Sequence, residues 1–251
     1  MSKRGVGPRI LLIDIENTPF TVYSWDNQPR VPISHKNIVT EQQMISAAWQ
    51  WEGDSRVYSE MVKVGATDQA LTETLQYQIS QADAVVAHFG DGHDMPMIRT
   101  RCLKWGLGPL KPVVQIDTWK IAKRQFKLFN NKLDYIAQFL GQSQKIETDF
   151  DLWKRVMAGE PKARREMLRY NKEDVRVLNR VWQEVRPFAV ANLNRALFTL
   201  PRLAHNTCPS CGEEALVMKA NTFFVTRAKQ RPAMQCNQCG HWCTKVNDVP
   251  R

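Results

Sequence analysis

The stretch RILLIDIENTP, residues 9–19, decides how this chain is read. Its apolar run reads as a buried strand, yet it ends in two acids one residue apart, Asp14 and Glu16. Side chains alternate along a strand, so Ile10, Leu12, Asp14 and Glu16 share one face. The first two are core residues. The next two put a pair of negative charges at the edge of that core, and such a pair needs a reason.

Outward from this strand, FTVYSW, MISAAWQWEG and RVYSEMV read as further strands. TDQALTETLQYQIS reads as a helix capped by Thr67, with Leu71, Leu75 and Ile79 at helical spacing. ADAVVAH is a short buried strand. GDGHDMPMIRTRCLKWG is a turn entering a helix, with Pro96 in its first turn. PVVQIDTW is the last strand, and NKLDYIAQFLG, FDLWKRVMAG and PKARREMLRYNKEDVRVLNRVWQEVRP are helices. Strands first, then strand–helix alternation, then a helical end describe a mixed α/β sheet covered by helices. Residues 187–207 mix Pro, Asn and polar residues as a connector does. The expected division is 1–190 for the main domain, 191–205 for the connector and 206–251 for a small module.

Two further acids can join the first pair. Asp94 follows the ADAVVAH strand, and functional groups of open α/β sheets gather where strand ends open into a crevice; the plain alternative is a helix cap. In the last helix Met167, Asn171, Asp174, Leu178, Val181 and Val185 recur at spacings of three or four, so Asp174 interrupts a core-facing stripe. Tyr170, one turn earlier, reaches the same side. Four carboxylates near a core repel one another unless a cation is present. Hard oxygen ligands suit Mg²⁺ or Mn²⁺, and two such ions can clamp the attacking and leaving oxygens of a phosphodiester.

DIE, then GDGHD, then YNKED resembles, in order and context, the DEDD superfamily of 3′–5′ exonucleases, which have the ribonuclease H-like fold. A tyrosine four residues before the last aspartate marks the DEDDy branch. NKLDYIAQFLG, FDLW and YNKEDV look like a phage- and bacteria-associated set that carries a C-terminal zinc ribbon. The resemblance covers almost the whole chain. It implies that Asp14 bridges two metal ions, Glu16 binds one and orients the nucleophilic water, Asp94 ligates the second directly or through water, and Asp174 completes the first site. Tyr170 would position the attacking water. One departure stands out: relatives usually have asparagine at the position of Phe89 and an aromatic residue at that of His93. Phe89 reads as core, with stacking on a base as the other reading. His88 and His93–Asp94 would suit an HD phosphohydrolase, but that fold is helical and AVVAH is a strand; His88 reads as a satisfied strand-end histidine. Asp117 reads as a helix cap, Asp134 as structural and Asp91 as an exposed loop residue.

The cysteines carry the second signal. Cys208, Cys211, Cys236 and Cys239 form two CxxC pairs, each followed by glycine, the spacing of a four-cysteine zinc ribbon. About fifty residues bury little apolar surface, so one structural Zn²⁺ would supply the folding free energy. Cys243 and His241 are expected outside the ligand set, and Cys102 as a buried thiol. Phe224, Arg227, Lys229 and Arg231, between the knuckles, suit single-stranded nucleic acid, although at least one of Phe223 and Phe224 is expected in the ribbon's own core.

The chain's 251 residues carry a formal net charge of +10, which favours an anionic partner. No window is apolar enough to span a bilayer, and MSKRGVGPR does not lead into a signal-peptide core. The expectation is a cytoplasmic protein (host cytoplasm if phage-encoded). Its partner would be nucleic acid, DNA favoured, with single-stranded 3′ ends, and replication or repair proteins beside it. Alternatives are an endonuclease built on the same core and a catalytically silent nucleic-acid-binding accessory protein.

Overall fold

The structure, a computed structural model, describes residues 7–25, 32–142, 148–189, 193–195, 206–225 and 230–244. Strand β1 (Ile10–Asn17) is the centre of the main sheet. After it come a short hairpin of β2 (Thr21–Val22) and β3 (Ile38–Thr40), then β4 (Met44–Trp51), β5 (Val57–Met61), helix α1 (Gln69–Ser80) and β6 (Ala84–Ala87). Helix α2 (Asp94–Lys104), β7 (Val114–Asp117) and helices α3 (Thr118–Gln125), α4 (Leu133–Phe139), α5 (Phe150–Met157) and α6 (Pro161–Val185) follow. The sheet order is β5-β4-β1-β6-β7. β4 runs antiparallel to β1 and β5, while β6 and β7 run parallel to β1. The mixed sheet is as expected; the FTVYSW strand shrinks to two residues, and its partner β3 is an addition to the expected strands.

The alternation read from β1 sorts two cores. Ile10 and Leu12 pack with Val175, Leu178, Val181 and Trp182 of α6. Leu11, Ile13 and Ile15 pack on the other face with Leu71, Leu75 and Ile79 of α1 and Ile98 of α2. Truncating one of these fully buried side chains to alanine costs about 2–5 kcal/mol. Asp14 and Glu16 therefore lie on the α6 face, where the antiparallel ladder with β4 shifts register between Glu16 and Asn17.

The start of α1 differs from expectation. The residue at its cap is Asp68, and it is buried, accepting from the Met44 amide at 2.9 Å, from Trp105 Nε1 at 2.9 Å and from Arg101 at 2.7 Å. Thr67 is exposed and caps nothing. Asp68 serves as the buried anion that ties α1, α2 and β4 together.

The cysteine module is a three-stranded antiparallel sheet, ordered β10-β9-β8, of β8 (Leu216–Val225), β9 (Gln230–Cys236) and β10 (Trp242–Thr244). Its core is Cys208, Leu216, Met234 and Cys236. Phe223 and Phe224 are both exposed, so neither fills the core assigned to one of them. The knuckles are too crowded by four thiols, and β8 faces too much solvent, for a phenylalanine core to form there. The module touches the main domain where α6 ends: His241 Nδ1 lies 2.7 Å from the Pro187 carbonyl, and the Arg195 amide donates to the Pro209 carbonyl at 2.9 Å. Arg195 and Arg186 both pair with Glu52, which also accepts from Trp182 Nε1 at 2.8 Å. Burial acts to raise the Glu52 carboxyl, but these guanidiniums, Arg195 first, hold it below its ordinary range.

Candidate active site

β1, β6 and β7 end on the same side of the sheet because they are parallel. Their C-terminal ends deliver Asp14 and Glu16, the loop from His88 to Asp94, and Asp117. α6 crosses this end and brings Tyr170 and Asp174. Asp14, Glu16 and Asp174 each offer a carboxylate oxygen, and these oxygens lie within 4.8 Å of one another. Asp174 is almost fully buried, Tyr170 is 6% exposed, and Trp153 packs edge-on against its ring at 6.1 Å. Asp14, Tyr170 and Asp174 line a cavity of about 1100 Å³ whose other walls include His88, Phe89, Trp119, Lys132 and Tyr135.

Asn171 is a site residue that the sequence did not flag. It is completely buried, donates to Asp14 Oδ2 at 2.6 Å and to the Asp14 carbonyl at 3.1 Å, and accepts from Ser46 Oγ at 3.2 Å. One amide thus fixes the Asp14 carboxylate against α6. Its only sequence signal was a polar residue on the apolar stripe, next to Tyr170 and three before Asp174.

Asp94 stands outside the group of three. It opens α2 rather than capping it, is 3% exposed, and its Oδ1 accepts from the Ile15 amide at 3.2 Å. That amide lies between Asp14 and Glu16 in the chain, so Asp94 is fastened to the backbone of the acidic strand. Burial, opposed by its backbone hydrogen bonds and reinforced by the Asp117 charge, pushes its carboxyl up to about 7.

The loop before Asp94 is shaped by its glycines and by Asp117. A Cβ on Gly90 would sit 2.4 Å from that of Ala87, and one on Gly92 would sit 2.5 Å from the Phe89 ring. Asp117 caps α3 as expected, accepting from the Trp119 and Lys120 amides, and it also accepts from the amides of Phe89 at 2.9 Å and Asp91 at 3.3 Å. Phe89 adopts φ 61° and is 45% exposed, which corrects its assignment to the core. The left-handed backbone turns its ring out into the cavity instead of down into the sheet. His88 is satisfied, with Nδ1 2.9 Å from Thr118 Oγ1 and Nε2 2.9 Å from the Asn131 carbonyl. Asp91 is not a plain loop residue, since it pairs with Lys120 at 2.6 Å. Asp134 is exposed in the first turn of α4.

The donor set fits the metals expected. Three clustered carboxylates, two of them anchored by helix α6 or its amide, are a hard oxygen site of the kind Mg²⁺ or Mn²⁺ takes. Sγ atoms of Cys208 and Cys239 are 3.7 Å apart, as are those of Cys211 and Cys236. A tetrahedron with Zn–S bonds of about 2.3 Å has edges of about 3.8 Å. Burial raises the Cys208 thiol and pushes that of Cys211 up to about 11, while the Cys236 thiol, which burial also acts to raise, is held below its ordinary range by hydrogen bonds from backbone amides and neighbouring thiols. Cys208 and Cys211 therefore keep their protons unless a cation takes the protons' place. The four-thiol group includes neither Cys243 nor His241. Burial and the neighbouring Cys236 and Cys239 push the Cys243 thiol to about 11. Cys102 is buried on α2 as expected.

In the ribbon, Phe224 and Arg231 face each other across β8 and β9, and both are exposed. Arg227 and Lys229 lie outside the described residues.

A family model described as the RNase_H superfamily matches residues 37–186. The chain belongs to this family, with the mixed five-stranded sheet and carboxylates at its centre that are set out above. Among solved structures it is similar to the family B DNA polymerase from the hyperthermophilic archaeon Pyrobaculum calidifontis. The identity is 16% and the TM-score 0.50 over 86% of this chain, which spans 31% of the polymerase chain, so the likeness is one of fold. No curated protein matches. Among the described residues no helix is long and apolar enough to cross a membrane.

Proposed function

We propose that this protein is a metal-dependent nuclease of the DEDDy type that removes nucleotides from 3′ ends, with DNA favoured. Membership of the RNase_H superfamily supports nuclease chemistry of some kind. The observation that carries the finer reading is the convergence of the Asp14, Glu16 and Asp174 carboxylates beside a cavity that Asp14, Asp174 and Tyr170 line.

Asp14, Glu16 and Asp174 would hold divalent Mg²⁺ or Mn²⁺, with Asp94 as the fourth carboxyl of a two-ion site. Bound ions supply Lewis-acid polarisation of the phosphate and a water acidified towards neutral pH. Asn171 holds Asp14 in one rotamer throughout. Tyr170, with Trp153 packed edge-on against its ring, lines the cavity, where its phenol would orient the attacking water. Lys132 offers a charge to the substrate's phosphates. The ribbon, folded around one Zn²⁺ on Cys208, Cys211, Cys236 and Cys239, would grip nucleic acid through Phe224, Arg227, Lys229 and Arg231. The working division remains 1–190, 191–205 and 206–251.

The test is cleavage of 5′-labelled single-stranded DNA and RNA with Mg²⁺, Mn²⁺ or EDTA, beside Asp14→Ala. A metal-dependent ladder shortening from the 3′ end, absent in the variant, is expected. Internal fragments would move the assignment to an endonuclease. Binding without cleavage in any metal would reduce the protein to a nucleic-acid-binding accessory.

A further inference from the structure

The cavity has an aromatic part of its lining that hydrolysis alone does not account for. Phe89 is held in the left-handed region at φ 61°, a conformation that costs a bulky L-residue free energy and persists only where its surroundings enforce it. They do so at three points. Asp117 Oδ1 accepts the Phe89 amide at 2.9 Å, and the Gly92 and His93 amides both donate to the Phe89 carbonyl at 3.0 Å. Gly92 lacks the Cβ that would collide with the ring at 2.5 Å. This restraint holds an aromatic ring that is 45% exposed and lines the cavity.

The ring does not stand alone. Trp119 meets it edge-on, with centroids 5.2 Å apart and planes at 72°. Lys123 Nζ lies 4.6 Å from the Trp119 ring centroid, a cation–π contact that fixes the indole and sets a positive charge beside it. Both aromatics line the same cavity as Asp14 and Asp174. A π-surface and two of the clustered carboxylates in one cavity, with an ammonium beside the indole, match the three parts of a nucleotide: base, bond to be cut and phosphate. Inside a duplex both faces of a base are covered by its neighbours and its edge is held by its partner, whereas an unpaired terminal base has a free face and is free to turn it to a ring.

We propose that Phe89 and Trp119 form a base-stacking subsite for an unpaired nucleotide of the strand, with Asp117 as its positioning residue. This rests on the nuclease reading for the identity of the ligand. Stacking on an aromatic ring is tolerant of base identity. The subsite therefore selects unpaired ends rather than a particular base.

The experiment places 2-aminopurine at the 3′-terminal or an internal position of a single-stranded DNA 12-mer. It is titrated with the full-length Asp14→Asn protein in Mg²⁺, where cleavage is suppressed. Stacking quenches the probe, so quenching is expected at the terminal position and much less inside. Phe89→Leu, which keeps bulk but not the ring, and Trp119→Leu should lose the quench and weaken binding about tenfold. Phe89→Tyr should restore both. Melting curves and zinc content of each variant report that it is folded. No quench at the terminus, or a quench that survives Phe89→Leu in a folded protein, would overturn the proposal. Cleavage by the Asp14 enzyme without any quench would sink the subsite and leave the nuclease. Quench lost with Phe89→Leu, but no cleavage in any metal, would sink the nuclease and leave the subsite on a binding protein.

Discussion

Replacing Asp94 by asparagine should stabilise the protein at alkaline pH. The Asp94 carboxyl is 3% exposed and raised to about 7, chiefly by burial. A carboxyl whose folded pKa lies above its unfolded value of about 3.9 binds its proton more tightly in the native state. Its contribution to stability is complete below about pH 4 and is lost as the pH rises through about 7. Each tenfold gain in proton affinity corresponds to about 1.4 kcal/mol, so a rise from about 3.9 to about 7 makes the ionised form about 4 kcal/mol less favourable. Asp94→Asn keeps the shape, still accepts from the Ile15 amide, and has nothing to ionise. For a chain of this size about 2–4 °C accompanies each kcal/mol, so about 8–16 °C is the ceiling of the gain at pH 8. The assay is thermal unfolding of both proteins from pH 5 to 9 without added Mg²⁺ or Mn²⁺. The gap should open with rising pH and flatten above about 8. Added Mg²⁺ should raise the melting temperature of the native protein more than that of the variant, since a cation bound to the ionised carboxylate stabilises the fold that holds it. A gap independent of pH, or a variant less stable at pH 8, would refute the account of Asp94 as a desolvated acid.

Asn171→Ala should cost about 3 kcal/mol, from one hydrogen bond to a charged oxygen and two neutral ones, and should lower kcat at least about tenfold with a smaller change in KM; melting and kcat both at native values would show that Asp14 needs no such anchor. Glu52→Ala should cost about 3–5 kcal/mol by leaving two largely buried guanidiniums unpaired, and should make the joint near Arg195 the first site of limited proteolysis. Because the Glu52 carboxyl is lowered, its stabilisation is present above the ordinary carboxylate range and fades as the pH falls through its depressed value; the native and Glu52→Ala melting curves should therefore converge in acid. Cys211→Ser should abolish the one zinc per chain measured by metal analysis and expose the ribbon to protease, and a full zinc content in that variant would exclude the four-thiol site. Deleting residues beyond about 200 should weaken binding of long single strands in a salt-dependent way while sparing oligonucleotides of four or five nucleotides; equal losses for both lengths would place the ribbon at the cavity instead of beyond it.

That last expectation follows from the polarity of the sheet. Glu52, which clamps Arg186 and Arg195, has its amide on the carbonyl of Ile10, at the start of β1. The carboxylates stand at the other end of the same strand. Six residues at about 3.4 Å separate Ile10 from Glu16, or about 20 Å. The ribbon's knuckles are thus fastened to the pole opposite the acidic one, and the described residues that line the cavity include none from the ribbon. Contacts made by the ribbon act on nucleic acid several nucleotides away from the bond being cut, and they set affinity and reach more than chemistry.

What could be read from the sequence was whatever a period or a spacing encodes. Alternation placed Ile10 and Leu12 in one core and Asp14 and Glu16 on the same face, because the pleat of a strand admits no other arrangement. The three-or-four spacing of α6 carried Asp174 to that face for the same kind of reason, and paired CxxC motifs with their glycines placed the four thiols. What could not be read depends on partners distant in sequence. Asn171 looked like one more member of a stripe until β4 brought Ser46 and β1 brought Asp14 to it, 125 and 157 residues away in the chain. Asp68, beside the expected cap Thr67, carried no signal of its own, and only the packing of α2 supplies its guanidinium. Phe89 looked like core because a phenylalanine after a buried strand usually is; its backbone conformation is dictated by Asp117, on a strand that pairs alongside, and by a glycine whose missing Cβ leaves room for the ring. Each of these residues is defined by the company the fold brings to it. Asn171 decides how Asp14 is held, and Phe89 decides what shares the cavity with it, so the part of the site that a spacing cannot encode is the part that would distinguish one substrate from another.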